Sequence, residues 1–126
     1  VLTVTESKVP WSTVMIRKSF GVAAAAHYGP DGYVLAWPSA ESGPLPLEGG
    51  VAVAFKKEIA AASDPEAKRK ELEQSLAKNQ DPFPRAENFS VHEIIDPRET
   101  RKYLSDWIER VQPQLKAKLL SMSSKR

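Results

Sequence analysis

The sequence predicts an α/β domain in which short buried strands are covered by helices, and three observations carry that prediction. First, two brief β-branched or apolar runs occur early, one around residues 13–16 closed by Gly21, the other at residues 33–37 stopped by Pro38. Second, apolar residues recur at helical spacing further on, at Val51, Phe55 and Ile59, and again at Leu104, Trp107, Ile108 and Val111. Third, residues 1–63 hold ten charged side chains and residues 64–126 hold twenty-four. Buried, backbone-rich chemistry therefore belongs early and solvated helices belong late.

Taken in order, Val9 and Pro10 open a segment in which Thr13, Val14, Met15 and Ile16 read as a buried strand. Gly21 turns the chain, and the alanines from Ala23 to Ala26 favour a short helix ending near His27. Gly29, Pro30, Asp31 and Gly32 form a turn by their φ requirements, and Tyr33 to Trp37 is a second buried strand. Residues 39–50 carry two prolines and three glycines and read as a loop. An amphipathic helix follows Gly49 and Gly50. Ser63-Asp64-Pro65-Glu66 is a helix start, with Asp64 as cap, Pro65 in the first turn and Glu66 complementing the dipole, and Leu72 and Leu76 should face inward. Residues 79–85 read as a loop, Val91 to Ile95 as a short strand, and Asp96, Pro97 and Glu99 as the start of a last helix that Pro113 interrupts. The division expected is a domain over residues 1–112 and a basic, mobile tail over 113–126.

Length and composition narrow the function. At 126 residues and 13.9 kDa there is room for one core. A net charge of +2 names no nucleic-acid or membrane partner. Without cysteine there is no thiolate metal site or cysteine nucleophile, and an intracellular location is weakly favoured. The sequence has no apolar run of the roughly 20 residues that a membrane helix needs. Its opening, Val1-Leu2-Thr3-Val4, has neither an initiator Met nor a targeting segment, which points to a longer parent chain.

The candidate chemistry sits at Gly21. A glycine where strand hands over to helix leaves the N–H groups of Val22 and Ala23 as free donors with a helix dipole behind them, a geometry that suits an oxyanion hole. The same residues also suit an ordinary strand-to-helix turn. His27 and His92 have no further ligand at helical metal spacing, no G-x-S-x-G elbow is present, and Glu48-Gly49-Gly50 is neither a P-loop nor a dinucleotide fingerprint. Lys56-Lys57 and Lys68-Arg69-Lys70 could meet a phosphate but read more simply as solvated helix faces.

Four segments are diagnostic together: residues 9–21 (VPWSTVMIRKSFG), 35–41 (LAWPSAE), 55–60 (FKKEIA) and 94–101 (IIDPRETR). In order and spacing they resemble the carboxyltransferase component of biotin-dependent acyl-CoA carboxylases, over about residues 1–111 and toward that component's C-terminal part. The resemblance implies a crotonase-like ββα superhelix, present here as the later part of the C-terminal of two related domains. It implies transfer of a carboxyl group from carboxybiotin to the α-carbon of an acyl-CoA, with no metal in this chain. It further implies that Gly21, Val22 and Ala23 form the biotin-side oxyanion hole from backbone N–H groups. Small Ala24 and Ala25 would border the substrate pocket and admit longer or branched acyl chains.

Many members of the family have Gly-Gly-Ala where this chain has Gly21-Val22-Ala23, so Val22 donates only if its φ is negative. The partners implied are the N-terminal carboxyltransferase domain, further copies in a hexamer-type ring, and a subunit carrying biotin carboxylase and carrier domains. The compartment implied is cytoplasm or mitochondrial matrix. Alternative readings are another crotonase-fold acyl-CoA enzyme, a hydratase or hydrolase, or a non-catalytic assembly piece.

Overall fold

A computed structural model of the chain describes residues 2–29 and 31–123. Pro30 of the expected turn and residues 124–126 of the expected tail lie outside the described residues. A single helical turn, α1 (Leu2–Thr5), precedes two strands, β1 (Ser12–Met15) and β2 (Lys18–Phe20), and the short helix α2 (Gly21–Ala26). The same strand, strand, helix order then repeats as β3 (Tyr33–Ala36), β4 (Glu41–Gly43) and α3 (Gly50–Ala54). The second unit stacks on the first: β3 pairs parallel with β1, Ser12 opposite Tyr33, and β4 pairs parallel with β2, Lys18 opposite Glu41. Each unit thus gives one strand to each of two sheets, which is one turn of a ββα superhelix.

Why the chain switches sheets after Met15 is visible in its bonds. Ser39 Oγ donates to Ile16 O at 2.8 Å and Glu41 N donates to Arg17 O at 2.8 Å, so the loop after β3 clamps the corner between β1 and β2. Ile16, expected inside the first strand, stands at that corner and is 52% exposed. The expected strand is therefore two shorter ones, and part of the expected loop over residues 39–50 is strand β4.

The core lies around β3. Val34, Leu35 and Ala36 are all buried in succession, which is possible only for a strand covered on both faces. Met15, Ala40 and Val91 pack with Val34 and Ala36. On its far side β3 receives β5 (Glu93–Ile94), Leu35 opposite Glu93, so the first sheet runs β1-β3-β5 with all strands parallel.

Helices supply the rest. The helix expected after Gly50 is broken in two at Phe55, where φ −107° and ψ 22° leave the helical region, giving α3 and α4 (Lys56–Ala61). Helix α5 (Pro65–Ala77) starts as read from the sequence, with Asp64 Oδ1 accepting from Glu66 N and Ala67 N at 3.1 and 3.0 Å. Leu72 and Leu76 on it are half-buried. The region expected as a loop over residues 79–85 contains most of another helix, α6 (Pro82–Glu87). It uses the same device: Asp81 Oδ1 accepts from Phe83 N at 2.9 Å and Pro82 occupies the first turn, where its missing N–H costs nothing.

After a 3-10 turn over Pro97–Glu99, capped by Asp96, α7 (Thr100–Ser123) runs straight through Pro113. The interruption expected there does not occur, and residue 112 lies inside a continuous helix. One face explains the persistence: Trp107, Val111 and Leu115 are half-buried and share a hollow with residues 7–11, and Lys118 Nζ donates across it to Lys8 O at 2.8 Å. Tertiary support along that face offsets the one hydrogen bond that a proline removes. Ile108, expected on this face, is instead 45% exposed.

The two most distinctive sequence segments meet in space. Trp37 Nε1 donates to Thr100 Oγ1 at 2.9 Å, and Thr100 Oγ1 in turn donates to Pro97 O at 2.8 Å. The Ala-Trp-Pro-Ser-Ala-Glu turn is thereby fastened to the start of α7.

Candidate active site

Phe20 ends β2 in extended conformation, φ −123° and ψ 147°, and Gly21 follows with φ +80°. Only a glycine takes that value without strain, so Gly21 is the pivot that turns the strand into α2. A Cβ placed on Gly21 would meet nothing nearer than Pro44 O at 3.9 Å. Backbone conformation, and not crowding, is what requires the glycine.

Among the described non-glycine residues only Phe89 has a positive φ, so Val22 lies in the ordinary region. Its side chain is 73% exposed. The first N–H groups of a helix have no partner within it. Here no side chain caps the turn, and among the described residues none of the bonds outside helices and strands comes from the Val22 or Ala23 N–H.

Beside this turn lies a cavity of about 330 Å³, lined by Ser19, Gly21, Val22, Ala25, Tyr28, Gly43, Pro44 and Arg85. Three of the five residues singled out from sequence are in that lining, Gly21, Val22 and Ala25. Ala23 and Ala24 are not, because a helical turn brings only part of its circumference to one side. The pairing of β2 with β4 sets Phe20 opposite Gly43 and so carries Gly43 and Pro44 to the cavity.

Sequence reasoning missed five lining residues. Ser19 and Tyr28 hold one another, Oγ to Oη at 3.1 Å, and Tyr28 Oη lies 3.4 Å from Met15 Sδ. Arg85 comes from α6, and its Nε is buried with no hydrogen-bond partner. The Asp81-Pro82 pair could have revealed α6, but nothing in the sequence says which face of the superhelix that helix covers.

No carboxylate and no imidazole line the cavity. His27 closes α2 through its backbone: its N–H donates to Ala24 O at 3.1 Å and its carbonyl accepts from Thr13 Oγ1 at 2.5 Å. His92 Nδ1 accepts from Val34 N at 3.0 Å at the sheet edge, its ring 5.5 Å from that of Tyr33. The Tyr33 hydroxyl donates to Glu93, and its pKa is pushed up by burial first and by that carboxylate second. Arg110 of α7 sits 5.4 Å from the centre of the Tyr33 ring, so this cluster joins helix to sheet.

The basic residues of α5 are engaged with acids. Lys68 Nζ lies 3.4 Å from Glu58 and 3.3 Å from Glu71, and Arg69 lies 2.8 Å from Glu73. A second hollow, about 400 Å³, separates residues 7–11 from α7 and includes Trp11, Trp107 and Lys118. Among the described residues no three His, Cys, Asp or Glu side chains could hold one metal ion, and no helix is long and apolar enough to cross a membrane.

The chain and its fold have known counterparts. The Methylmalonyl-CoA carboxyltransferase 12S subunit of Propionibacterium freudenreichii subsp. shermanii is 38% identical over 108 residues, 82% of this chain and 21% of that protein. The Propionyl-CoA carboxylase carboxyltransferase subunit of Haloferax mediterranei is 36% identical over 104 residues, 79% of this chain and 20% of that protein. A crystal structure of the transcarboxylase 12S hexamer with methylmalonyl-coenzyme A and methylmalonic acid bound superimposes with a TM-score of 0.68 at 36% identity, covering 87% of this chain and 22% of that one. The chain therefore spans about a fifth of the length of the relatives it matches, and its two stacked ββα units are part of a crotonase-like fold. The family of the Carboxyl transferase domain matches across residues 1–118, and the chain belongs to it.

Proposed function

We propose that this chain forms the biotin side of a carboxyltransferase that moves a carboxyl group from carboxybiotin to the α-carbon of an acyl-CoA. Carboxybiotin, held on a separate carrier domain, would supply the carboxyl group as carbon dioxide, and the biotin left behind would serve as the base for the substrate's α-proton. The task left to this chain is to hold negative charge on an oxygen, position the ring and exclude water. Uncapped N–H groups at Val22, which lines the open cavity, and at Ala23, next to it in the chain, fit that task. Gly21 takes the positive φ so that neither donor residue has to. Ala25 gives the cavity a small wall, which leaves room for longer or branched acyl groups, and Ala24 supports it from the same helix.

The observation that carries this reading is the coincidence of an uncapped helix turn and a cavity lined by no carboxylate and no imidazole. Hydration or hydrolysis of an acyl-CoA needs a carboxylate or imidazole at hydrogen-bond distance; transfer from a cofactor that is its own base does not. As partners we propose an N-terminal carboxyltransferase domain carrying the acyl-CoA, further copies in a hexamer-type ring, as the hexamer assembly of transcarboxylase 12S suggests, and a subunit with biotin carboxylase and carrier domains. The setting we propose is cytoplasm or mitochondrial matrix; relatives from Rattus norvegicus and Mus musculus are named as mitochondrial.

The test is Val22→Pro in the complete carboxyltransferase. Proline removes the N–H while its φ suits a first helical turn. Carboxyl transfer should fall roughly 10²- to 10³-fold, the effect of deleting one oxyanion donor. Val22→Ala, which keeps the N–H, should retain activity. Equal activity in the proline and alanine variants would remove the oxyanion role.

A further inference from the structure

Arg85 is the one cationic side chain in the lining of the Gly21 cavity. Its backbone is held firmly: the Arg85 carbonyl accepts from Ser90 N at 2.9 Å and Val91 N at 3.1 Å, and Val91 is fully buried in the core. The head group is not satisfied in the same way. Nε is buried without a hydrogen-bond partner, and no Asp or Glu lines the cavity to answer the charge. The charge of a guanidinium that no carboxylate in the lining answers favours a ligand that brings a negatively charged acceptor to the cavity. The chemistry of the fork specifies the acceptor further, because a planar guanidinium matches a carboxylate through two parallel N–H to O bonds. The neighbouring hydroxyls, Tyr28 and Ser19, already bond to each other and add only neutral polarity.

We propose that Arg85 is the carboxylate-binding residue of this cavity, taking the carboxyl group that the reaction moves while the Gly21 turn takes the neighbouring oxygen. This rests on the oxyanion reading of that turn for its place in the reaction, but the carboxylate site itself stands on Arg85. Two sources share the chemistry: the carboxylated ureido ring and the carboxylated acyl product.

The test follows the arginine Nε–Hε resonances and backbone amides of the full 126-residue chain by NMR. Four probes are titrated at constant ionic strength: 2-imidazolidone-1-acetate for the ring, monoethyl malonate for the acyl product, neutral 2-imidazolidone, and chloride. Arg85 Nε–Hε should move saturably with at least one carboxylate and not with chloride, and the stronger of the two identifies the source. Arg85→Gln should weaken that probe about tenfold or more, with Arg85→Lys between. An Arg85 resonance that ignores both carboxylates, or answers chloride equally, overturns the proposal. The wild-type titration decides this even if the glutamine variant fails to fold. Neutral 2-imidazolidone reads the other element separately: if Val22 and Ala23 amides stay silent while Arg85 answers carboxylate, the oxyanion reading falls and the carboxylate site survives.

Discussion

The stacked ββα units over residues 12–54 and the helical segment over residues 65–123 are stabilised by different means. In the first, successive strand residues Val34, Leu35 and Ala36 vanish from solvent, and order comes from parallel pairing between segments about twenty residues apart. In the second, α5 has no fully buried residue and is laced instead by surface pairs such as Lys70 with Glu66 and Arg69 with Glu73. Exposed ion pairs contribute little each. The helical segment therefore depends on caps and on its attachment to the sheets, whereas the strand units depend on close packing. The cavity is built mainly on the packed side, where a main-chain donor keeps its direction.

The sharpest way to break this contrast is Leu35→Ala. Leu35 has no exposed surface, so the cavity left should cost about 2 to 5 kcal/mol, read by urea denaturation of the whole chain. A cost below about 1 kcal/mol would show that β3 is not the packed centre.

Next in size is the joint between the two regions. Thr100→Val removes the acceptor of the Trp37 indole N–H and should cost about 1 to 3 kcal/mol. Trp37→Phe in the same background should then add less than it does alone, and strict additivity in that double-mutant cycle would show the bond to be idle.

Within the helical segment, Asp64→Ala should cost about 1 kcal/mol by uncapping α5. Hydrogen exchange should quicken at Glu66 and Ala67 while the amides of β1 and β3 stay protected.

The smallest effect concerns pH. The Arg98 guanidinium first, and the Arg98 backbone N–H second, lower the Asp96 pKa from its ordinary 3.8 to about 2. A depressed carboxylate pKa contributes stability above the unfolded value, and that contribution is lost as pH falls through the folded one. The turn before α7 should therefore keep its cap from neutral pH down to about 4 and lose it toward pH 2. An NMR titration of the Asp96 carboxyl with a midpoint near 4 would contradict the bond pattern.

What was legible in the sequence was local. Asp64-Pro65 named a helix start because a carboxylate, a missing N–H and a fixed φ all act within one turn of chain. Gly21 named the pivot because a positive φ is a property of one residue. The family likeness carried the ββα fold, since its distinctive segments, Trp37 in one and Thr100 in another, turn out to be bonded to each other. Reading by periodicity failed where the deciding partner was distant. Strand β4 looks like loop until β2 supplies its ladder, and α7 looks broken at Pro113 until residues 7–11 are found beneath it.

By itself, then, the sequence determined where the backbone turns, which helices are capped and which family the chain resembles, because those depend on neighbours within a few residues or on a preserved order of motifs. Only the tertiary structure decided that Ser19, Tyr28 and Arg85 share a cavity with Gly21 and Val22. Their meeting depends on parallel pairing and on the path of α6, and no local spacing encodes which residues two distant segments bring face to face.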